Sequence, residues 1–110
     1  MRAYLIDEIS ASDMEKIIRF LKENCCQSTL DDIFWVEIPE DLLAGVQSEH
    51  KNCRPHVFAM EKGDHWVKAE FFVRSLKNMR CDCQRYCTPQ QREFILNFVH
   101  RMIDALDIRT

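Results

Sequence analysis

Glycine is close to missing from this chain. Gly45 and Gly63 are its only two, too few for a phosphate-cradling P-loop or a G-x-G-x-x-G turn. Proline is almost as sparse, with three residues, which excludes collagen-like and Pro/Gly-rich low-complexity chains. Positive charge is not in excess either: 15 Lys and Arg stand against 18 Asp and Glu, a net charge of −3. That balance leaves no electrostatic footprint for nucleic acid. No window approaches the ~18 consecutive apolar residues of a membrane span. The start, Met1-Arg2-Ala3-Tyr4-Leu5-Ile6-Asp7-Glu8, turns acidic before a signal-peptide core can form. No membrane association and no secretion are expected.

What the chain does have is 46% apolar and 30% charged side chains in 110 residues. This is enough apolar surface to offset the ordering entropy of one folded domain, residues 1–110. It also has six cysteines. In a secreted chain six cysteines would mean three disulfides in one of fifteen connectivities. Without a visible leader, the expected setting is a reducing cytoplasm with free or metal-bound thiols.

The periodicities predict an α+β domain. Residues 2–9 suggest a short strand. Ser12 with Glu15 resembles a helix-opening capping box, followed by Met14, Ile17, Ile18, Leu21 and Cys25 as one buried stripe. Ile33–Ile38 is β-branched and aromatic and stops at Pro39. Pro39 suits the first turn of a second helix running to about His50. His56 to Arg74 has the pattern of a β-hairpin. A two-residue loop at Lys62-Gly63, with glycine supplying a positive φ, sets Phe58 against Val67 and His56 against Ala69. One misfit counts against that register: Glu61 would face Asp64, and a longer loop would relieve it. Residues 79–84 alternate with period 2 and suggest a further strand. Thr88-Pro89-Gln90-Gln91 marks a helix from 89 to about 107, with Phe94, Phe98 and Met102 on its apolar face. The order β-α-β-α-β-β-(β)-α gives two layers, about three helices against a mainly antiparallel sheet.

The chemistry-bearing residues gather in two segments: His50-x-x-Cys53-x-x-His56, and Cys81-x-Cys83-x-x-x-Cys87. Zinc takes four thiolate or imidazole ligands, typically as two short-range pairs from separate segments. These six residues are therefore candidate ligands. Strand geometry argues against them: with a turn at Lys77-Asn78, Cys81 and Cys83 project from the face opposite His56, where no metal can be shared. On that reading the thiols are ordinary buried residues. A third reading makes Cys81 or Cys83 a reactive thiolate beside Arg80 and Arg85, or Cys87 one at a helix N-terminus, with His56 or His65 as base. No third orienting residue is evident for it. Trp35, Trp66 and Phe72 project from the sheet face away from the better core face, a candidate surface for a protein partner or a homodimer. The leading expectation is a non-catalytic cytoplasmic binding or assembly domain without a cofactor. A zinc-stabilised domain is the alternative, and a thiol-dependent enzyme is third.

A cytoplasmic placement predicts that all six cysteines are reduced. Counting thiols under denaturing conditions should return six; a count of zero or two would restore the disulfide framework.

Overall fold

The computed structural model describes residues 2–110. Seven strands and three α-helices make an α+β domain with a mainly antiparallel sheet. The strands are β1 (Ala3–Ile6), β2 (Cys26–Gln27), β3 (Ile33–Glu37), β4 (His56–Lys62), β5 (Val67–Glu70), β6 (Phe72–Ser75) and β7 (Arg85–Tyr86). The helices are α1 (Ala11–Asn24), α2 (Gly45–Glu49) and α3 (Pro89–Ala105). The main path across the sheet runs β1-β5-β4-β3-β2, with β6 beside β4 and β7 beside β6.

Alternation assigns the faces. Phe34, Val36, Phe58, Met60, Val67 and Ala69 share one face and form a single core with Met14, Ile17 and Leu21 of α1 and Ile95, Val99 and Met102 of α3. The Phe58 ring meets Phe94 and Phe98 edge-on, at centroid distances of 6.4 and 5.7 Å. On the other face Trp35 lies opposite Ala59, and Glu61 pairs with Lys68 at 3.2 Å. Both long helices pack on the first face, so the second keeps the mixed polar and apolar character of a one-sided antiparallel sheet.

Helix α3 opens as its capping box predicts. The Thr88 hydroxyl accepts from the Gln91 amide at 3.1 Å, and the Gln91 carboxamide accepts from the Thr88 amide at 3.0 Å. It closes with Asp107 at φ 54° and with Ile108 N–H donating to the Ile103 carbonyl at 3.0 Å, a left-handed cap that places Ile108 back on the core.

Five sequence expectations are corrected. Helix α1 is capped by Ser10, whose hydroxyl accepts from Asp13 N–H at 3.2 Å, two residues before the expected Ser12. The helix ends at Asn24, with Cys25 as its extended C-cap and Cys26 already paired with Trp35. The second helix is broken into a 3-10 turn at Glu40–Leu42, then α2, then a 3-10 turn at Lys51–Cys53, because Leu43 and Ala44 are extended. The hairpin loop spans residues 63–66, which pairs Glu61 with Lys68 and removes the like-charge clash. Gly63 has no positive φ. What requires glycine there is the Trp66 indole, which a Cβ would overlap. Residues 79–84 form turns, and the strand that does pair with β6 is β7, Phe72 against Tyr86 and Val73 against Arg85.

The returning strand is also interrupted. Met60 pairs with Ala69 and Val57 with Arg74. Two residues of β4 therefore oppose four on the other strand, a bulge centred on Glu70 to Val73. Beyond it β6 takes over the pairing, and His56 lies opposite Ser75.

Phe58 is fully buried at the centre of this packing. Truncation to alanine should destabilise by ~3–5 kcal/mol, measured by urea unfolding. A loss below ~1 kcal/mol would mean that α3 does not lie on this face.

Candidate metal centre

The ligand atoms of His50, Cys53, Cys81 and Cys83 lie within 4.8 Å of one another. Two local structures present them. Helix α2 ends at His50, and the chain turns through Lys51–Cys53 as a 3-10 helix, with Cys53 N–H donating to the His50 carbonyl at 3.0 Å. In a 3-10 turn residues i and i+3 eclipse, so His50 and Cys53 project to the same side. The second pair comes from turns between β6 and β7. Cys81 N–H donates to the Asn78 carbonyl at 3.1 Å, and Gln84 N–H to the Cys81 carbonyl at 3.4 Å. The Cys83 N–H then points at the Cys81 sulfur, 3.5 Å away. His50 Nδ1 is 3.1 Å from Cys81 Sγ and 3.9 Å from Cys53 Sγ. Donor atoms of a tetrahedral N/S₃ zinc site are roughly 3.5–3.8 Å apart, from Zn–S and Zn–N lengths of about 2.3 and 2.0 Å. The gathered atoms need to adjust by about an ångström or less to reach that geometry.

Buried polar side chains lock the two segments together. Ser75, fully buried, donates its hydroxyl to the Cys53 carbonyl and accepts from Asn78 N–H at 2.9 Å. Its own N–H donates to the Gln84 carboxamide at 3.0 Å. That carboxamide donates onward to the carbonyls of Met79 and Cys81, at 2.7 and 3.3 Å. Gln47 of α2 donates to the Cys83 carbonyl at 3.3 Å and accepts from Gln91 at 2.9 Å. Gln91 thus caps α3 with its oxygen and braces the site with its nitrogen. Of Ser75, Gln84, Gln47 and Gln91, only Gln91 carried a sequence signal, its capping-box position.

The electrostatics divide the thiols. Hydrogen bonds from the Cys83 backbone and side chain, then from Cys53 and His50, pull the Cys81 thiol down to about 7. Burial, reinforced by the neighbouring Cys81 and Cys53, pushes the Cys83 thiol up to about 12. The Cys83 thiolate is disfavoured here unaided, whereas a divalent cation would bring one neutral imidazole and three thiolates to a net charge of −1. A donor set of one imidazole and three thiolates is soft and suits zinc-like metals over magnesium or calcium. The cluster can therefore hold a metal ion.

Of the six sequence candidates, four converge. His56 touches the cluster from outside, its Nε2 3.5 Å from Cys83 Sγ. Cys87 packs against the hydrophobic core instead, and burial pushes its thiol up to about 11. The geometric objection to a shared metal is overturned. Cys81 and Cys83 do not belong to a strand, so their sheet face imposes nothing. The three aromatics of the candidate surface are each half-buried against a separate neighbour: Trp35 beside Cys26 and Ala59, Trp66 over Gly63, Phe72 edge-on to Tyr86 at 5.2 Å. Among the described residues, no helix is long and apolar enough to cross a membrane. Comparison with protein-family models, curated proteins and solved structures finds no match to this chain.

Replacing Ser75 by alanine removes the hydrogen-bond partner of the Cys53 carbonyl and of the Asn78 amide. The metal-free protein should lose about 1–3 kcal/mol in urea unfolding. A change under ~0.5 kcal/mol would show that water reaches both groups.

Proposed function

We propose that this chain is a zinc-stabilised, non-catalytic binding or assembly domain, with His50, Cys53, Cys81 and Cys83 as the four ligands. The convergence of four soft donor atoms from two distant segments carries this reading. Four protein ligands leave no open coordination position, the hallmark of a structural rather than a catalytic zinc. Zinc is favoured because it needs no particular redox state and accepts a tetrahedral N/S₃ set. A reducing compartment such as the cytoplasm would keep the three thiols available to it. The open sheet face, with half-buried Trp35 and Ala59, is where a protein partner or second copy would rest. Nucleic acid is disfavoured by the net charge of −3.

One observation favours a second reading. The Cys81 sulfur sits 3.1 Å from the His50 imidazole at the edge of an open groove of about 420 Å³, which is how a thiol nucleophile and its base are arranged. Metal content separates the two readings. Protein purified without chelator or affinity metal should contain about one zinc per chain by elemental analysis. Its melting temperature should fall on chelation. Cys81→Ser should melt low and lose the chelator effect, while Cys87→Ser should keep it. A metal-free protein whose melt ignores chelator, with Cys81 alkylated ahead of Cys83 and Cys87 at neutral pH, would replace the zinc reading with the thiol one.

A further inference from the structure

His56 is 2% exposed and is held on both sides by the sheet: its carbonyl accepts from Ile38 N–H at 2.9 Å, and it pairs with Ser75 across β4 and β6. Its Nε2 lies 3.5 Å from the Cys83 sulfur, and its Nδ1 is buried without a hydrogen-bond partner. A cavity of about 160 Å³ borders this histidine, and Arg54 lines the same space with its Nε likewise buried and unpartnered. A buried imidazole with one bare nitrogen is costly to keep, so its other nitrogen should have a task.

We infer that His56 is not a ligand but a positioning residue that donates its Nε2–H to the metal-bound thiolate of Cys83. The inference rests on the metal-centre reading given above. A neutral imidazole has one N–H and one bare nitrogen. With the proton on Nε2, the sulfur is the acceptor within reach at 3.5 Å, and the nitrogen left bare is Nδ1, which has no partner. The opposite tautomer would turn a bare nitrogen lone pair toward an anionic sulfur, which is repulsive. Cys83 needs such a donor more than the other thiols do. It is fully buried, and its own N–H is spent on Cys81. Cys81, by contrast, already receives that backbone N–H. The N–H from His56 spreads the charge of the buried thiolate and holds its sulfur toward His50 and Cys53, the role of outer-shell partners in metal sites.

The test uses the full chain loaded with cobalt(II) in place of zinc. Wild-type protein should show tetrahedral thiolate–cobalt bands. His56→Leu should move the sulfur-to-cobalt charge-transfer band to longer wavelength and raise the cobalt dissociation constant on the order of 10–100-fold. His56→Gln, which keeps an N–H donor, should recover most of both. A His56→Leu spectrum and affinity equal to wild type would overturn the inference. So would a His56→Gln variant as damaged as His56→Leu, since that pattern means packing alone. Should His56→Leu fail to fold, ¹⁵N imidazole NMR of the zinc-loaded wild type reads the tautomer directly: protonation on Nε2 is expected, and protonation on Nδ1 would overturn the proposal. Absence of thiolate–cobalt bands in wild type would remove the metal centre itself, an outcome distinct from a metal-loaded protein insensitive to His56.

Discussion

Strand β4 is paired along both edges, and on one of them its partner changes from β5 to β6 across the bulge at Glu70–Val73. Most of the site depends on that change. At Phe71 the chain leaves β5 and changes neighbours: its N–H still donates to Arg2, while its carbonyl accepts from Cys87. Past the bulge, β6 lies against the beginning of β4, which brings Ser75 beside His56 and aims the 76–84 segment at the end of α2. A continuous hairpin in the 60/69 register would have carried β6 past His56 out of step. Ser75 would then not have met the Cys53 carbonyl. The bulge re-aims side chains toward a candidate site, a use bulges commonly have beside functional centres.

The strongly periodic parts of the sequence translated directly. The Thr88-Pro89-Gln91 start of α3, the Met14/Ile17/Leu21 stripe and the alternation of β3 and β4 are all consequences of one-face burial, which sequence patterns record well. The failures share a different cause. Residues 79–84 alternate apolar and polar only because cysteines occupy every second place, and those cysteines are spaced for turns around one another. The second helix failed because Leu42 and Leu43 mimic a helical stripe although the backbone is extended at Leu43 and Ala44. The like-charge misfit of Glu61 against Asp64 was a true warning about loop length, since the four-residue loop converts it into the Glu61–Lys68 pair. For the site, residue type and H-x-x-C spacing were legible, but Ser75, Gln47 and Gln91 were not. Their importance lies in which carbonyls they reach, and no local pattern encodes that.

Packing explains why a metal would matter to this particular fold. The apolar core draws on the sheet, α1 and α3, and among the described residues it includes none between Leu76 and Tyr86. That segment and α2 are secured instead by amide and hydroxyl hydrogen bonds and by cysteines whose protonated thiols bond weakly. Cys53 and Cys83 are buried yet stand apart from the main core. Ionising the Cys83 thiol in that setting without a cation is costly because of its burial. Metal coordination would offset that cost, turning crowded thiols into ligands and the 76–84 segment into a fixed element.

The Gln47–Gln91 contact extends that reasoning to the core. Gln91 bonds Gln47 and the Leu42 carbonyl with one nitrogen and caps α3 with its oxygen, so the N-terminus of the main core helix shares a residue with the bracing of Cys83. Both carboxamides are fully buried, and buried polar networks are favourable only while every member is satisfied. If the Cys83 loop loosens, Gln47 loses an acceptor, and the strain falls first on α2 and then on the cap of α3. The sheet and the Phe58 cluster have no such dependence. Loss of metal would therefore fray one end of the molecule and leave its centre standing, because the coupling is carried by hydrogen bonds at a helix terminus and the core is held by area.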